Sequence, residues 1–428
     1  MSKSKYVIIG ACAAGIGAVE AIREVDQEGE ITVISEEQCG YYSRPMISAF
    51  VSGEADLAKM KTRDDQFWKK NAVNLLSGKK AVSLETNEHV VALSDGDKIS
   101  YEKLLLATGG KPFVPKMEGQ EKEGVFTFTN ISDAERLARK INSGEVKNAV
   151  VIGAGLIGIS ITEALSKRGV RVSMVELQDK ILSLLLDPKA SEIMEDLITK
   201  AGVNIFTGQS VQKIVGKPDD EAVVGGVVLT NGHQIPCDIV VVAIGVIPRV
   251  ELAAGTTLKM NRGIVVDNLM QTSVQDIYAS GDVAETYDFI LNQHRSLPLW
   301  PLAALEGKIA GYNMAGKKAD YKGGTNMSSL KYFGVPIVSV GLANPKLDPS
   351  LEVVMKIDEA KRVFKKIVLK DNVIVGITFL GEIERSGILY YLMKNKVNVR
   401  EFKDALLSDD FGLAALPQSL RKQMSLEV

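Results

Sequence analysis

One pattern occurs twice in this chain and limits what it can fold into. Residues 5–36 read KYVIIGACAAGIGAVEAIREVDQEGEITVISE. An apolar run, Tyr6 to Ile9, ends in Gly10. The small-residue turn Gly10-Ala11-Cys12-Ala13-Ala14-Gly15 follows and opens an amphipathic helix. A second β-rich run, Ile31 to Ile34, ends near Glu36. This is a β-α-β unit suited to a dinucleotide. Small residues let the backbone approach a pyrophosphate, and the helix N-terminus offers free N–H groups and a positive dipole end. The acid after the second strand accepts hydrogen bonds from a ribose diol. Residues 148–176, NAVVIGAGLIGISITEALSKRGVRVSMVE, repeat the plan with Gly153-Ala154-Gly155-Leu156-Ile157-Gly158 and Glu176. A single glycine-rich turn is weak evidence. Strand, turn, helix, strand and terminal acid in register, twice, is much stronger. In the first copy Cys12 stands where the middle glycine is usual; it reads as a small packing residue.

The rest of the composition narrows the class. With 428 residues there is room for two or three domains. A net charge of −2 gives no basic balance for nucleic acid, and no apolar run is long enough to span a membrane. The start, Met1-Ser2-Lys3-Ser4-Lys5, runs directly into a strand, so no signal peptide is expected. Cys12, Cys39 and Cys237 are too few and scattered for a disulfide framework or a cysteine-ligated cluster, which fits a cytoplasmic protein. His89, His233 and His294 lack metal-ligand spacing.

Between the two copies, the pattern predicts a loop and short helix after Glu36 and a helix over 64–71. Strands are expected at 73–76 and 79–82, with an antiparallel pair at 89–93 and 98–101. Leu104-Leu105-Leu106-Ala107-Thr108-Gly109-Gly110 reads as a buried strand ending in a turn, and Lys111 to Val125 as a linker. After the second copy come a helix (188–201), strands at 203–207, 211–215 and 223–229, and then Ile239 to Gly245, which echoes the first half. The internal repeat therefore extends past the glycine turns and implies duplicated domains. A strand at 277–279 ends at Ser280-Gly281-Asp282. The segment Leu297-Pro298-Leu299-Trp300-Pro301 enters a small-residue helix, and from about Lys322 the chain reads as a separate α+β domain.

The order of these pieces carries a resemblance. A first nucleotide turn, Ala107-Thr108-Gly109, the turn at Gly245, and the run ending Ile277-Tyr278-Ala279-Ser280-Gly281-Asp282 are arranged as in the pyridine nucleotide–disulfide oxidoreductase superfamily. The phrases Tyr42-Ser43-Arg44-Pro45 and Leu299-Trp300-Pro301 narrow the similarity to the branch of NADH:rubredoxin and ferredoxin reductases and the flavin module of assimilatory nitrite reductase. The resemblance implies an α/β fold with two Rossmann-like dinucleotide-binding domains, glutathione-reductase-like, plus a C-terminal α+β interface domain. It divides the chain into a discontinuous FAD domain (1–115 and 255–318), an NAD domain (116–254) and a C-terminal domain (319–428). It implies FAD on Gly10, Ala14, Gly15, Glu36 (Glu37 if the strand ends one residue later), Arg44, Pro45, Val82, Ala107, Thr108, Gly109, Asp282, Leu299 and Trp300. NAD falls to Gly153, Gly155, Ile157, Gly158, Glu176 and Gly245. The Glu176 carboxylate favours a 2′,3′-diol and repels a 2′-phosphate, so NADH is expected over NADPH.

The chain also departs from that family. The disulfide-reducing branches place two nearby cysteines in the FAD helix, and related NADH oxidases and coenzyme A disulfide reductases place one after a serine. Here that stretch is Ser43-Arg44-Pro45-Met46-Ile47, with no thiol, and Cys39 comes too early. A Lys and a Glu that pair near the flavin in relatives correspond to Ala49 and Ser160; Glu163, one turn on, reads as a surface residue or a substitute. No thiol or triad is therefore expected to act, and the resemblance implies electron transfer from NADH through flavin to a small acidic rubredoxin or ferredoxin-like carrier, by a homodimer. Lys59, Lys61, Arg63, Lys69 and Lys70, with Lys361, Arg362, Lys365 and Lys366, are candidates for a basic face toward that partner. Two other readings stay open: an NADH oxidase reducing oxygen or peroxide, and an electron-input or docking subunit of a larger complex.

Overall fold

The computed structural model of this chain describes residues 2–39, 41–64, 66–345 and 348–426. It contains two compact units. One is Met1–Val114, Phe128–Arg139 and Gly245–Thr325; the other is Pro115–Thr127, Lys140–Ile244 and Asn326–Val428.

In the first unit β1 (Ser2–Ile9), α1 (Ala13–Val25) and β2 (Ile31–Ser35) form the first β-α-β repeat. Tyr6 to Ile9 are buried without alternation, as a parallel strand covered on both faces requires. The sheet runs Val73–Ser77, β2, β1, Lys98–Leu106, Val90–Leu93, Ala81–Glu85. The strand order reverses on either side of β1, and an open α/β sheet leaves its ligand crevice at such a point, off the carboxyl ends of the strands. The sequence suggests two separate strands near 98 and 104, but the structure makes one, Lys98–Leu106. Its start pairs antiparallel with Val90–Leu93 and its end parallel with Ile277–Ala279, so one strand serves both the insert and the crevice. The helix expected over 64–71 is only Phe67–Lys70; Asp65 lies outside the described residues.

The helix Trp300–Met314 lies directly against α1. A Cβ on Gly307 would sit 2.0 Å from the Ala14 carbonyl oxygen, one on Gly311 2.5 Å from that of Ala18, and one on Gly17 2.5 Å from that of Ala304. The small residues of both helices thus let two backbones touch. That contact seats the start of α1, and with it the first glycine turn, at a fixed depth.

In the second unit β3 (Asn148–Ile152), α2 (Leu156–Lys167) and β4 (Arg171–Val175) repeat the plan. Its sheet is wholly parallel, in the order Asn204–Phe206, β4, β3, Ile239–Val242, Val125–Thr127. Three strands, Val211–Gly216, Val224–Leu229 and Gln234–Pro236, make the antiparallel insert. The last hundred residues add a five-stranded antiparallel sheet: Met327–Tyr332, Val335–Gly341, Val373–Leu380, Val363–Lys370, Leu351–Asp358. Two features correct the sequence reading of a linker at 111–125. Gly110–Pro112 pairs with Val246–Pro248, and Val125–Thr127 is an edge strand. Three-residue strands show too little alternation to be seen in sequence. A helix at Ile131–Asn142, capped at Asp133 N by the Asn130 side chain, is also new.

Lys366 was expected on a basic surface. It is instead buried, with its ammonium 2.8 Å from the Asp187 carboxylate. Asp187 also caps the helix Pro188–Lys200 by accepting from the Ala190 N–H. Strand alternation explains the error: Lys366 shares its face with Phe364 and Val368, both fully buried.

Candidate functional site

The two glycine turns divide their glycines by purpose. In the first, a Cβ on Gly10 would lie 2.1 Å from the Ala107 oxygen, and one on Gly15 1.9 Å from the Gly10 oxygen. In the second, a Cβ on Gly153 would lie 2.6 Å from the Ala243 oxygen and one on Gly158 1.8 Å from the Gly153 oxygen. These four glycines are demanded by the chain's own strand–turn–helix packing. Gly155 differs: nothing lies within 4 Å of where its Cβ would be. A glycine whose missing side chain faces open space fits the close approach of a ligand rather than of protein. At the matching place in the first turn the chain carries Cys12.

Around Cys12 the first site is built from charge. Burial pushes the Cys12 thiol up, while the neighbouring Arg44 guanidinium opposes the rise. Arg44 sits in the short turn Arg44–Met46, beside Pro45. It is paired with Glu37 and donates to the Thr129 carbonyl at 3.0 Å. Burial pulls its pKa down, but Cys12 and Glu37 more than reverse this, so it stays firmly cationic. Tyr42 donates to Glu37 at 2.6 Å, accepts from the Ile131 N–H at 2.8 Å and lies beneath the guanidinium. Asp282 is also close: burial raises its carboxyl and Arg44 partly counters it.

Ala107-Thr108-Gly109, Leu299, Trp300, Val82 and Glu36, also expected around FAD, lie on separate segments of the first unit. Ala107 ends beside Gly10; the Thr108 hydroxyl donates to the Arg249 carbonyl at 2.8 Å, and the Arg249 N–H donates to the Gly109 carbonyl. Gly281, at φ +75°, brings Ala14 and Ala303 within van der Waals reach of the place its Cβ would take. Leu299 and Trp300 begin the helix that lies on α1, and Trp300 packs partly buried against the core. Val82 is half exposed on Ala81–Glu85. Glu36 is exposed and paired with Arg249 at 2.7 Å and Lys80 at 3.5 Å. Of the two acids, Glu37 is committed to Arg44 and Tyr42, which leaves Glu36 the one facing outward.

Sequence reasoning missed Glu306. This carboxylate is fully buried on Trp300–Met314, accepts from the Gly281 N–H at 2.9 Å and the Thr286 hydroxyl at 3.0 Å, and is pushed up to about 7 by its burial. A lone acid on the inner side of an apolar helix was the available signal. The Ser280 hydroxyl, beside it, is buried with no hydrogen-bond partner among the described residues.

In the second site the Glu176 carboxylate accepts from the Ala154 N–H at 2.7 Å and the Gln178 N–H at 2.8 Å. The acid is therefore fastened to the glycine turn itself. Ile157 lies in the first turn of α2, partly exposed. Gly245 falls in the first unit, where its carbonyl accepts from the Phe113 N–H. Glu163 is paired with Lys167 at 3.4 Å, one turn beyond Ser160 on α2; Ala49 lies on the short helix Ile47–Ser52. Among the described residues no cluster of His, Cys, Asp or Glu could hold a metal ion.

The donor set suits dinucleotides: two helix N-termini, an arginine, an unfilled space over Gly155 and an orphaned hydroxyl at Ser280.

Comparisons with known proteins agree with this geometry. The family model described as pyridine nucleotide-disulphide oxidoreductase matches residues 4–307, and one described as rubredoxin NAD+ reductase C-terminal domain matches residues 327–397. The chain is 30% identical over 413 residues to the NADH-dependent phenylglyoxylate dehydrogenase subunit epsilon of Aromatoleum evansii, covering 96% of each. It is 30% identical over 406 residues to a nitrite reductase [NAD(P)H] of Bacillus subtilis, spanning 94% of this chain but 48% of that protein. Among solved structures, a ferredoxin reductase from Rhodopseudomonas palustris superposes with a TM-score of 0.86 at 26% identity, over 96% of this chain and all of that one.

Proposed function

This chain belongs to the pyridine nucleotide-disulphide oxidoreductase family, and we propose that it takes electrons from NADH and hands them to a small rubredoxin or ferredoxin-like carrier. The observation that carries this reading is the pair of dinucleotide turns on one chain, the second with open space over Gly155 and a carboxylate, Glu176, fixed at its edge.

On this reading FAD is held by the first turn (Gly10, Ala14, Gly15), by Arg44, by Ala107-Thr108-Gly109 and by Asp282. Its domain is 1–115 with 255–318, NAD's is 116–254, and 319–428 forms the C-terminal domain of a cytoplasmic homodimer. Bound FAD supplies the chemistry: it accepts electrons in pairs and releases them singly. The chain's residues bind and orient. Arg44, permanently charged, holds the diphosphate side, and the α1 N-terminus adds its dipole. Glu36, facing outward, is placed to meet a ribose diol. Glu176 does the same for NADH and disfavours a 2′-phosphate. The Cys12 thiol, whose pKa burial raises, takes no part.

A second reading has one specific support. The relative from Aromatoleum evansii matches over 96% of its length and is named as a subunit. On that reading the same chemistry feeds a larger complex, and turnover with free carriers is slow.

An anaerobic titration tests both. NADH should bleach the flavin of the purified holoprotein, and one oxidised carrier should restore it. Bleaching without restoration by either carrier favours the subunit reading. Absence of bleaching by NADH and NADPH would overturn the proposal. A preference for NADPH in kcat/KM would overturn the role given to Glu176.

A further inference from the structure

The turn Gly153–Gly158 is held from outside its own β-α-β unit. The Tyr332 hydroxyl donates to the carbonyl of Leu156, the first residue of α2, at 2.9 Å, and Tyr332 is buried. Tyr332 is the last residue of the strand Met327–Tyr332, paired to Val335 across the two-residue loop Phe333-Gly334. Both loop residues have positive φ, +47° and +83°, as the tight hairpin turn matched to strand twist requires. Phe333 is a costly residue for that conformation, so the hairpin's end is strained and stiff.

A second arm reaches the turn through the segment after Glu176. The Leu182 N–H donates to the Ala154 carbonyl at 2.9 Å. Leu182 is buried and also sits at positive φ, +49°. The residues just beyond it are gripped by the C-terminal sheet. Asn344 donates to the Ser183 carbonyl at 3.1 Å, Ser339 to the Leu185 carbonyl at 3.0 Å, and Lys366 to the Asp187 carboxylate at 2.8 Å.

We infer that Tyr332 is a positioning residue for the dinucleotide turn, and that the C-terminal sheet sets how well that turn is formed before NADH arrives. The carbonyl of Leu156 already serves its own helix, and a second donor on its other lone pair fixes orientation more than it relieves an unmet bond. Orientation is what the ligand feels: the free N–H groups at the start of α2 must point together at the diphosphate. Holding the turn in advance lowers the ordering cost of binding and leaves later steps unchanged. The residues involved come from the segment matched by the rubredoxin reductase C-terminal model and its flank, so that domain acts on nucleotide binding as well as on whatever docks there.

The inference rests on the reading that the second turn binds NADH, and the test separates the two. Calorimetry of NAD+ binding to the FAD-loaded protein comes first. Tyr332→Phe keeps the ring and removes only the hydroxyl. It should raise the dissociation constant about three- to ten-fold. KM for NADH should rise likewise, with kcat at saturation, flavin content and melting temperature unchanged. Ser339→Ala, on the second arm, should move affinity in the same direction by a smaller factor. Lys403→Ala, which removes an exposed ion pair with Glu352 elsewhere in the same sheet, should change nothing. If Tyr332→Phe fails to fold, Ser339→Ala carries the test alone. A parent that binds NADH and variants that bind it equally well would overturn the inference and leave the proposed function standing. A fall in kcat in step with lost thermal stability would also overturn it, as a purely structural role. A parent that binds no pyridine nucleotide would overturn the proposed function, and this inference with it.

Discussion

Glu306 has no cation beside it among the described residues. It holds the Gly281 amide, next to Asp282, with a carboxyl that burial pushes up to about 7 from an ordinary value of 4.5. The folded protein therefore binds this proton more tightly than the unfolded chain. The stabilisation linked to it is complete below about pH 4.5 and is lost as pH rises through about 7. Glu306→Gln imitates the protonated form. Measured by urea midpoints, the variant should gain on the parent by about 3 kcal/mol between acid and mildly alkaline pH. A difference that does not change with pH would show that the carboxyl titrates normally. Cys12 makes the opposite case. Its raised thiol predicts slow alkylation by iodoacetamide at neutral pH, and Cys12→Ala should keep NADH-driven bleaching within about two-fold. Rapid labelling at Cys12, read by mass spectrometry, would remove the inert role. At this scale the sequence was most readable where a residue type has one use. Gly10, Gly15, Gly153 and Gly158 are forced by backbone contacts, whereas the choice between Glu36 and Glu37 turned on a strand end. Strand register makes Ser35 the counterpart of Glu176, since Ile9 pairs with Ile34 as Ile152 pairs with Val175. The first unit's acid thus arrives one residue later, a shift no periodicity reveals.

The elements most legible in the sequence were those with long buried runs: β1, β3, Ile239–Val242 and the helices behind the glycine turns. Strands of three residues carried too little pattern, whereas the helix Ile131–Asn142 shows a clear one, with Ile131, Ala134, Leu137 and Ile141 buried at helical spacing, that the sequence reading passed over. The contact of α1 with Trp300–Met314 was half visible, because small residues in a helix announce a close approach without saying to what. Within the second turn the structure separates folding from binding. Gly158→Ala would push a Cβ to 1.8 Å from the Gly153 oxygen, so it should destabilise the protein by about 1–3 kcal/mol or prevent folding. Gly155→Ala meets nothing, and its φ of −81° suits alanine. Its melting temperature should stay within a degree or two of the parent's, while NAD+ affinity falls about ten-fold or more, because the new methyl occupies the ligand's side of the turn. Equal affinity in a stable Gly155→Ala protein would mean that the space over Gly155 is not where the dinucleotide lies.

For the molecule as a whole, the balance of charge decides how a carrier finds it. The 51 basic and 53 acidic residues leave almost no net field. The basic clusters seen in the sequence are largely answered locally. Arg63 pairs with Glu20 and Lys70 with Asp64; Lys361 pairs with Asp358 and Lys365 with Glu382. Lys366 is buried against Asp187. That last pair is structural, and Lys366→Ala should cost about 3–5 kcal/mol, since it leaves a buried carboxylate without its cation. A sequence shows which residues are charged, but it cannot show which acid another strand or loop will bring beside them; that is why Lys366 does not belong to a basic face. Steering by a strong surface field raises association rates by factors of ten to a thousand and collapses with salt. A locally neutralised surface has little such rate to lose. Reduction of rubredoxin or ferredoxin by the NADH-charged holoprotein should therefore slow by less than about three-fold from low to physiological ionic strength, whereas a fall of about ten-fold or more would mean that unpaired charge is concentrated where the carrier docks. Stopped-flow rates at low carrier concentration read this directly, because there the second-order encounter limits the reaction. A shallow slope would place the recognition of the carrier in shape and short-range contact rather than in long-range attraction.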